Sequence, residues 1–310
     1  VIAALIFFIY ILYGRKTVKT YRKKYAYAKL NNELFGVLEK MEYAEKNNVL
    51  YIKLEFKGVP VFLWAPIPKY GVEVDYRKAV YEGIDYMKKR GVEPTYRSVW
   101  TVFKDKMLTA CPELFSMPTD IAWDYVYTRE SLATLKGKKL HGKRNHINKF
   151  LSKYPDYEYR RLDKSMIADC IALYDHWMDE KTGEDAQEMA DERRSVELAL
   201  QNMDALGLTG GTIYIDGKLC AFGERLHPQM QLIHIEKGDT EYDGIFPIIN
   251  QQYVLHECED VELINREEDM GIEGMRKAKR SYNPVKMIEK YLISTRDLRE
   301  EKGIWGKEEA

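Results

Sequence analysis

The sequence predicts an α+β protein built of two tandem domains, each a mixed, mostly antiparallel sheet flanked by helices. Its 310 residues are about twice a typical domain, enough for two cores. Hydrophobic periodicity reads as hairpin, helix, strand, helix, strand between residues 49 and 127. A fuller succession of strand, two helices, three strands, helix, strand, helix and strand follows between 156 and 293. With 45% hydrophobic and 31% charged residues and 23 tyrosines, the composition excludes disorder for most of the chain.

In the first half, NVLYIKLEF and VPVFLWAPI are β-rich runs joined at Lys57-Gly58. YRKAVYEGIDYMKKRG has helical spacing at Val80, Ile84 and Met87 and stops at Gly91. TYRSVW reads as a strand, VFKDKMLTAC as a helix closed by Pro112, and IAWDYVY as another strand. In the second half YEYRRLD is a strand and residues 164–178 and 188–206 are helices. TGGTIYID, KLCAFGERL and MQLIHIEKG are strands with a tight turn at Asp216-Gly217. A helix at about 245–257, the strand VELIN, the helix GIEGMRKAKRSY and the strand VKMIEKYLI complete it. This order resembles the Gcn5-related N-acetyltransferase (GNAT) fold, and residues 49–127 resemble its later part. The expected segments are an apolar and basic stretch at 1–44, a degenerate first GNAT-like domain at 45–130, a basic helical connector at 131–155, a second GNAT-like domain at 156–293 and a charged tail at 294–310.

The formal net charge is -1, from 48 Lys and Arg against 49 Asp and Glu, which argues against a generic polyanion binder. The charge is unevenly placed. Up to Pro155 the chain holds 28 basic and 15 acidic residues, so one half is suited to an anionic partner. The stretch from Asp179 to Glu197 is acidic and reads as an exposed loop leading into a helix. Cys111, Cys170, Cys220 and Cys258 are too widely spaced for a zinc knuckle or redox pair, and they read as free, mostly buried thiols in a reducing compartment. The six histidines form no HExxH pair, so no metal is expected, and Walker, GxGxxG and GxSxG motifs are absent.

Residues 1–13 are uniformly apolar and precede a run with seven Lys or Arg, as in a membrane segment with a basic flank. Thirteen helical residues span only about 20 Å, against about 30 Å of hydrocarbon. A buried element, a truncated membrane anchor and a gene-start artefact are the three readings, with membrane association through residues 1–24 under the second.

Several clusters suit anion binding or acid–base chemistry. In the connector, Lys143, Arg144 and Asn145 place two cations and an amide near one point, suited to phosphate. The run from Asn265 to Asp269, NREED, follows an apolar strand, where chain ends line clefts in open α/β sheets. Arg276, Lys279 and Arg280 share a helical face, and Tyr282 follows that helix. Arg266, Glu267, Asp269 and Arg276 read equally well as an ion-pair network. Glu224 and Glu236 are candidate bases, with His234 two residues from Glu236, and each carboxylate also fits a solvent-facing strand position.

INREEDMGIEGMRKAKRSYNPVKMIEKYLI, taken with KGKKLHGKRNHINKF, resembles the phosphatidylglycerol lysyltransferase C-terminal family, a former domain of unknown function. That family is built of tandem GNAT-like domains and is related to the Fem aminoacyltransferases. The resemblance covers about residues 45–293 and implies aminoacyl transfer from aminoacyl-tRNA to an amine or hydroxyl of a small molecule or of a lipid such as phosphatidylglycerol, without a cofactor. Gly274 to Lys279 fall where lipid-modifying relatives carry a glycine-led helix with a Phe-Lys pair. Lys279 matches that lysine and would stabilise the oxyanion, while Ala278 replaces the aromatic residue. By the fold resemblance, Tyr282 would protonate the leaving ribose oxygen. Lys143, Arg144, Asn145, Asn265, Arg266 and Arg276 would bind the donor or its phosphates. The resemblance further implies a bacterial protein in the cytoplasm or at the cytoplasmic membrane face. The alternatives are an acetyl-CoA-dependent N-acetyltransferase and a non-catalytic tRNA- or nucleotide-binding module. Against the first, the expected pyrophosphate turn reads TEYDGIFPIIN, with only Gly244 and with Pro247 removing a donor.

Overall fold

The computed structural model describes residues 42–56, 59–69, 71–179, 186–206, 208–226 and 230–300. The apolar and basic N-terminal segment, the Lys57-Gly58 connection and the end of the tail lie outside them. In chain order the strands are β1 (Glu42–Lys46), β2 (Val49–Phe56), β3 (Val59–Pro68), β4 (Thr95–Trp100), β5 (Phe115–Pro118), β6 (Asp124–Thr128), β7 (Glu158–Arg161), β8 (Thr209–Ile215), β9 (Lys218–Leu226), β10 (Met230–Gly238), β11 (Leu263–Asn265), β12 (Lys286–Ile288) and β13 (Lys290–Ser294). The α-helices are α1 (Tyr76–Lys88), α2 (Thr101–Ala110), α3 (Arg129–Thr134), α4 (His141–Lys153), α5 (Ile167–Asp179), α6 (Ala186–Gln201), α7 (Met203–Leu206), α8 (Ile245–Glu257) and α9 (Glu273–Arg280).

The chain folds into two bodies, each around its own mixed sheet. The first has the strand order β1-β2-β3-β4-β13-β5 and the second β12-β6-β11-β10-β9-β8-β7. Each sheet contains a parallel pair, β3 with β4 and β10 with β11, and a helix crosses between its strands, α1 in the first and α8 in the second. These are the tandem GNAT-like domains expected. The strands at their margins differ from the expected segments. The run VKMIEKYLI reads as one strand but divides at Glu289, so that β12 joins the second sheet and β13 the first. Conversely β6, read as the last strand of the first half, lies in the second sheet, where it pairs with β11. Register is set by non-local pairing, which the local pattern does not carry.

In the first body α1 buries Ala79, Val80, Ile84 and Met87 against the sheet, the face its spacing predicts. Asp75 caps it by accepting from the Lys78 amide at 2.9 Å. Tyr96 donates to the Val80 carbonyl at 2.7 Å. A Cβ at Gly83 would lie 2.0 Å from that Tyr96 hydroxyl, so only glycine permits the approach. The base of this body holds a buried ion cluster. The Lys290 ammonium meets Asp124 at 2.5 Å and Glu268 at 3.0 Å, while its carbonyl accepts from the Trp123 indole at 3.1 Å. Burial works against both charges, yet Asp124 and Glu268 hold Lys290 above its ordinary value and Lys290 holds Glu268 down to about 2.

In the second body α8 packs Ile245, Ile248, Ile249, Tyr253 and Val254 onto Ile213, Ile233 and Ile264 of the sheet. The basic stretch at 131–155 resolves into the end of α3, a 3₁₀ turn and α4, and Ile147 and Phe150 of α4 are buried in this same core. It is therefore a wall of the second body, solvated only along its outer face. Gly244 precedes α8 at φ 91°, and a Cβ there would stand 2.8 Å from the His146 carbonyl of α4. Cys111, Cys170 and Cys258 are buried and form no disulfide, as their spacing implies, and the Cys220 side chain lies outside the described ones.

Candidate active site

Strands β10 and β11 pair over only three residues, Met230 to Leu232 with Leu263 to Asn265. Beyond that β10 runs on to Gly238, kinked by a register shift between Ile233 and Ile235, while the chain leaving β11 turns away. Side chains fill the gap between them. Asn265 is fully buried and accepts from the Glu267 amide at 2.7 Å, which holds Glu267 in the left-handed region at φ 55°. His234 Nδ1 lies 3.0 Å from Glu267 Oε2. The Arg266 amide donates to the Tyr125 carbonyl at 2.9 Å, and the Lys279 ammonium donates to the Arg266 carbonyl at 2.6 Å. The turn that presents Arg266 is thus tied from three sides.

The Arg266 guanidinium reaches back across the gap. Its Nη2 donates to Glu236 Oε1 at 3.0 Å, and the other oxygen of Glu236 accepts from Asn250 Nδ2 at 3.0 Å. Arg266 stands 4.8 Å over the Tyr282 ring, and the Lys143 ammonium stands 4.2 Å over the same ring. Tyr127 meets Tyr282 edge-on at 6.3 Å and donates to the Lys279 carbonyl at 2.7 Å. Four elements, α4, β10, α8 and the turn after β11, together with Tyr282 just past α9, therefore converge on one carboxylate and one phenol ring.

The electrostatics are those of a partly desolvated cationic site. Burial pushes the Tyr282 phenol up to about 12, against the pull of Arg266, so it stays protonated through the physiological range. Burial also raises Tyr127. Burial works against Arg266, but Glu236 holds it above its ordinary value. Lys143 is lowered by burial and by the charge of Arg266, with Glu236 acting in the other direction. Protonated phenol, fixed guanidinium and a destabilised ammonium can stabilise a developing oxyanion and exchange protons with a reacting group.

Of the residues expected from sequence, Lys143, Glu236, Arg266 and Tyr282 come together here. Lys279 turns its ammonium to the Arg266 backbone, so it holds the turn. Asn265 shapes the same turn. Arg144, beside Lys143 in sequence, points elsewhere and closes the end of α3 through the carbonyls of Leu135 and Gly137. Asn145 lies exposed, its Nδ2 3.2 Å from His141 Nε2. Glu224 sits on β9 opposite Ile235 and Gly210 in the ladder, and its side chain lies outside the described ones. Arg276 is half-buried on α9. The expected network of Arg266, Glu267, Asp269 and Arg276 takes another form: Arg266 pairs with Glu236, Glu267 with His234, and Asp269 accepts from the Gly271 amide at 2.9 Å. Asn250 and Tyr127 escaped the sequence reading. A lone asparagine inside the apolar run IFPIINQQYVL was the available signal for the first, and alternation within a strand gave none for the second. Among the described residues no cluster of His, Cys, Asp and Glu could hold a metal ion, and no helix is long and apolar enough to cross a membrane.

Residues 22–294 match the family described as phosphatidylglycerol lysyltransferase, C-terminal. The chain belongs to that family. Among solved structures, a conserved protein of unknown function from Bacteroides thetaiotaomicron is 33% identical, with a TM-score of 0.75 over 86% of this chain and 89% of that one. L-PGS from Bacillus licheniformis shares the fold at 15% identity, with a TM-score of 0.59 over 87% of this chain and 92% of that one. An uncharacterised protein of Mycoplasmoides gallisepticum is 26% identical over 177 residues, so the chain spans about half, 55%, of that relative's length and of its own. In this member of the lysyltransferase C-terminal family, the cluster around Arg266 occupies the gap at the end of the parallel strand pair of the second GNAT-like body.

Proposed function

We propose that this lysyltransferase C-terminal family protein is an aminoacyltransferase that moves an aminoacyl group from aminoacyl-tRNA to an amine or hydroxyl acceptor, phosphatidylglycerol among the acceptors to test. The observation that carries the reading is the grouping of Arg266, Lys143 and Tyr282 around Glu236 in one partly buried gap. When an acceptor attacks the ester carbonyl, negative charge collects on the carbonyl oxygen, and Arg266 offers a fixed cation to it. The bond to the ribose oxygen then breaks, and Tyr282, protonated up to about pH 12, gives that oxygen its proton. Lys143, whose ammonium burial and Arg266 disfavour, takes the proton the acceptor loses when it is in its neutral form. Glu236 has both oxygens engaged and serves to orient Arg266.

The exposed Lys138, Lys139, His141 and His146 on and before α4 supply a basic surface for the polyanionic donor. Close packing of Gly244 against the His146 carbonyl accounts for that glycine without a pyrophosphate, which weighs against a CoA donor. The test incubates the purified protein with labelled aminoacyl-tRNAs and a panel of amines and lipid vesicles containing phosphatidylglycerol. Transfer of label that weakens steeply with salt is expected. Absence of transfer from every charged tRNA would reject the proposal.

A further inference from the structure

Asn250 and Arg266 each keep one polar atom that the protein leaves unmatched. The Glu236 carboxylate is ion-paired with the Arg266 guanidinium and has only acceptor oxygens to offer. Its Oε2 contact with Asn250 therefore fixes the orientation of that amide, with Nδ2 on the carboxylate and Oδ1 turned away. Asn250 is 1% exposed, and its Oδ1 is buried with no hydrogen-bond partner. Arg266 Nη1 is likewise buried with no partner. A buried polar atom is costly to leave unmatched. The two have opposite polarity, one an acceptor and one a donor, and both residues hold the Glu236 carboxylate, Asn250 at one oxygen and Arg266 at the other.

We infer that this pair reads a free α-amine next to a carbonyl, so that the site selects an α-aminoacyl group over a plain or N-blocked acyl group. Asn250 Oδ1 takes an N–H of the α-amine and Arg266 Nη1 the carbonyl oxygen. An α-amine offers an N–H whether charged or neutral, so the adjacent cations Arg266 and Lys143 do not exclude it. A plain acyl group satisfies Arg266 but leaves the Asn250 oxygen buried and unmatched. Sites that hydrogen-bond a substrate group discriminate strongly against analogues lacking it for this reason. The inference rests on the aminoacyl reading of the same site.

The test uses the full chain and non-hydrolysable 3′-acylamido-adenosine probes in matched sets, with alanyl, leucyl, lysyl or glutamyl groups, each as the free amine, the N-acetyl form and the form lacking the amine. Binding is measured by calorimetry. In at least one set the free amine should bind 10-fold or more tighter than both counterparts. In Asn250→Leu that ratio should fall below about 3-fold, provided thermal unfolding shows the variant folded. Should the variant not fold, the wild-type comparison decides alone. Equal binding within every set, or no binding by any probe, would overturn the inference and leave the two atoms to internal water. Discrimination retained in a folded Asn250→Leu would also overturn it. If probes discriminate while no charged tRNA yields transfer, the transferase reading fails and this one stands; the reverse pattern sinks only this one.

Discussion

Arg266 Nη2 and Glu236 Oε1 lie 3.0 Å apart, with side chains only 12% and 14% exposed. Removing one partner from such a pair strands a buried charge and costs about 3–5 kcal/mol, whereas replacing both with apolar side chains restores much of the loss. Arg266→Met should therefore lower the urea midpoint sharply and abolish transfer. The double variant Arg266→Met, Glu236→Met should regain stability and remain inactive. Equal stability of the single and double variants would contradict a coupled pair.

The Lys279 ammonium donates to the Arg266 carbonyl, which fixes the turn that presents Arg266. It is a positioning residue. Lys279→Ala should reduce turnover by more than 10-fold, about 1.4 kcal/mol in barrier, without changing the pH profile. It should also destabilise the protein by about 1.5–3 kcal/mol, the range for a hydrogen bond to a charged group. A shifted pH optimum would instead make Lys279 a participant in proton transfer.

With its phenol held up to about 12, Tyr282 keeps its proton at any ordinary assay pH. Tyr282→Phe keeps the ring that Lys143 and Arg266 overlie and removes only the proton. Turnover should fall at least 10-fold while donor affinity and melting temperature change little. A fall confined to pH above 9 would mean the hydroxyl acts in its ionised form.

The Lys290 cluster sets an acid limit on the first body. Glu268 has an ordinary value of 4.5 and is held at about 2, so its contribution is complete above 4.5 and lost as pH falls toward 2. Tryptophan fluorescence should report this, because the Trp123 indole is bonded to the Lys290 carbonyl. In Lys290→Met burial alone acts on Glu268 and pushes it up, so this acid-linked loss of stability should shrink or vanish while the variant is less stable at neutral pH. An unchanged acid-linked loss would separate Glu268 from acid unfolding.

Much of the fold could be read in advance because helices and strands here follow simple periods. Val80, Ile84 and Met87 lie on the buried face their spacing predicts. The exchange of β6 and β13 could not, since VKMIEKYLI looks locally like one strand and its two parts differ only in distant partners. At the site, composition correctly drew attention to NREED and to the basic stretch, but neighbours there diverge. Lys143 and Arg144 are adjacent cations, yet one overlies Tyr282 and the other closes α3. Side-chain direction on a helix surface is fixed by tertiary packing, which one sequence does not display.

The place of β13 between β4 and β5 has a temporal meaning during synthesis. A nascent chain makes β4 and β5 early, but the strand that joins them emerges from the ribosome only after the whole second body has been translated. Through that interval both strands present unpaired backbone edges, the surfaces on which chains mispair with one another. Translation pauses between residues 128 and 290 should therefore lengthen the exposure and lower the soluble yield, even though they fall in codons for a different body.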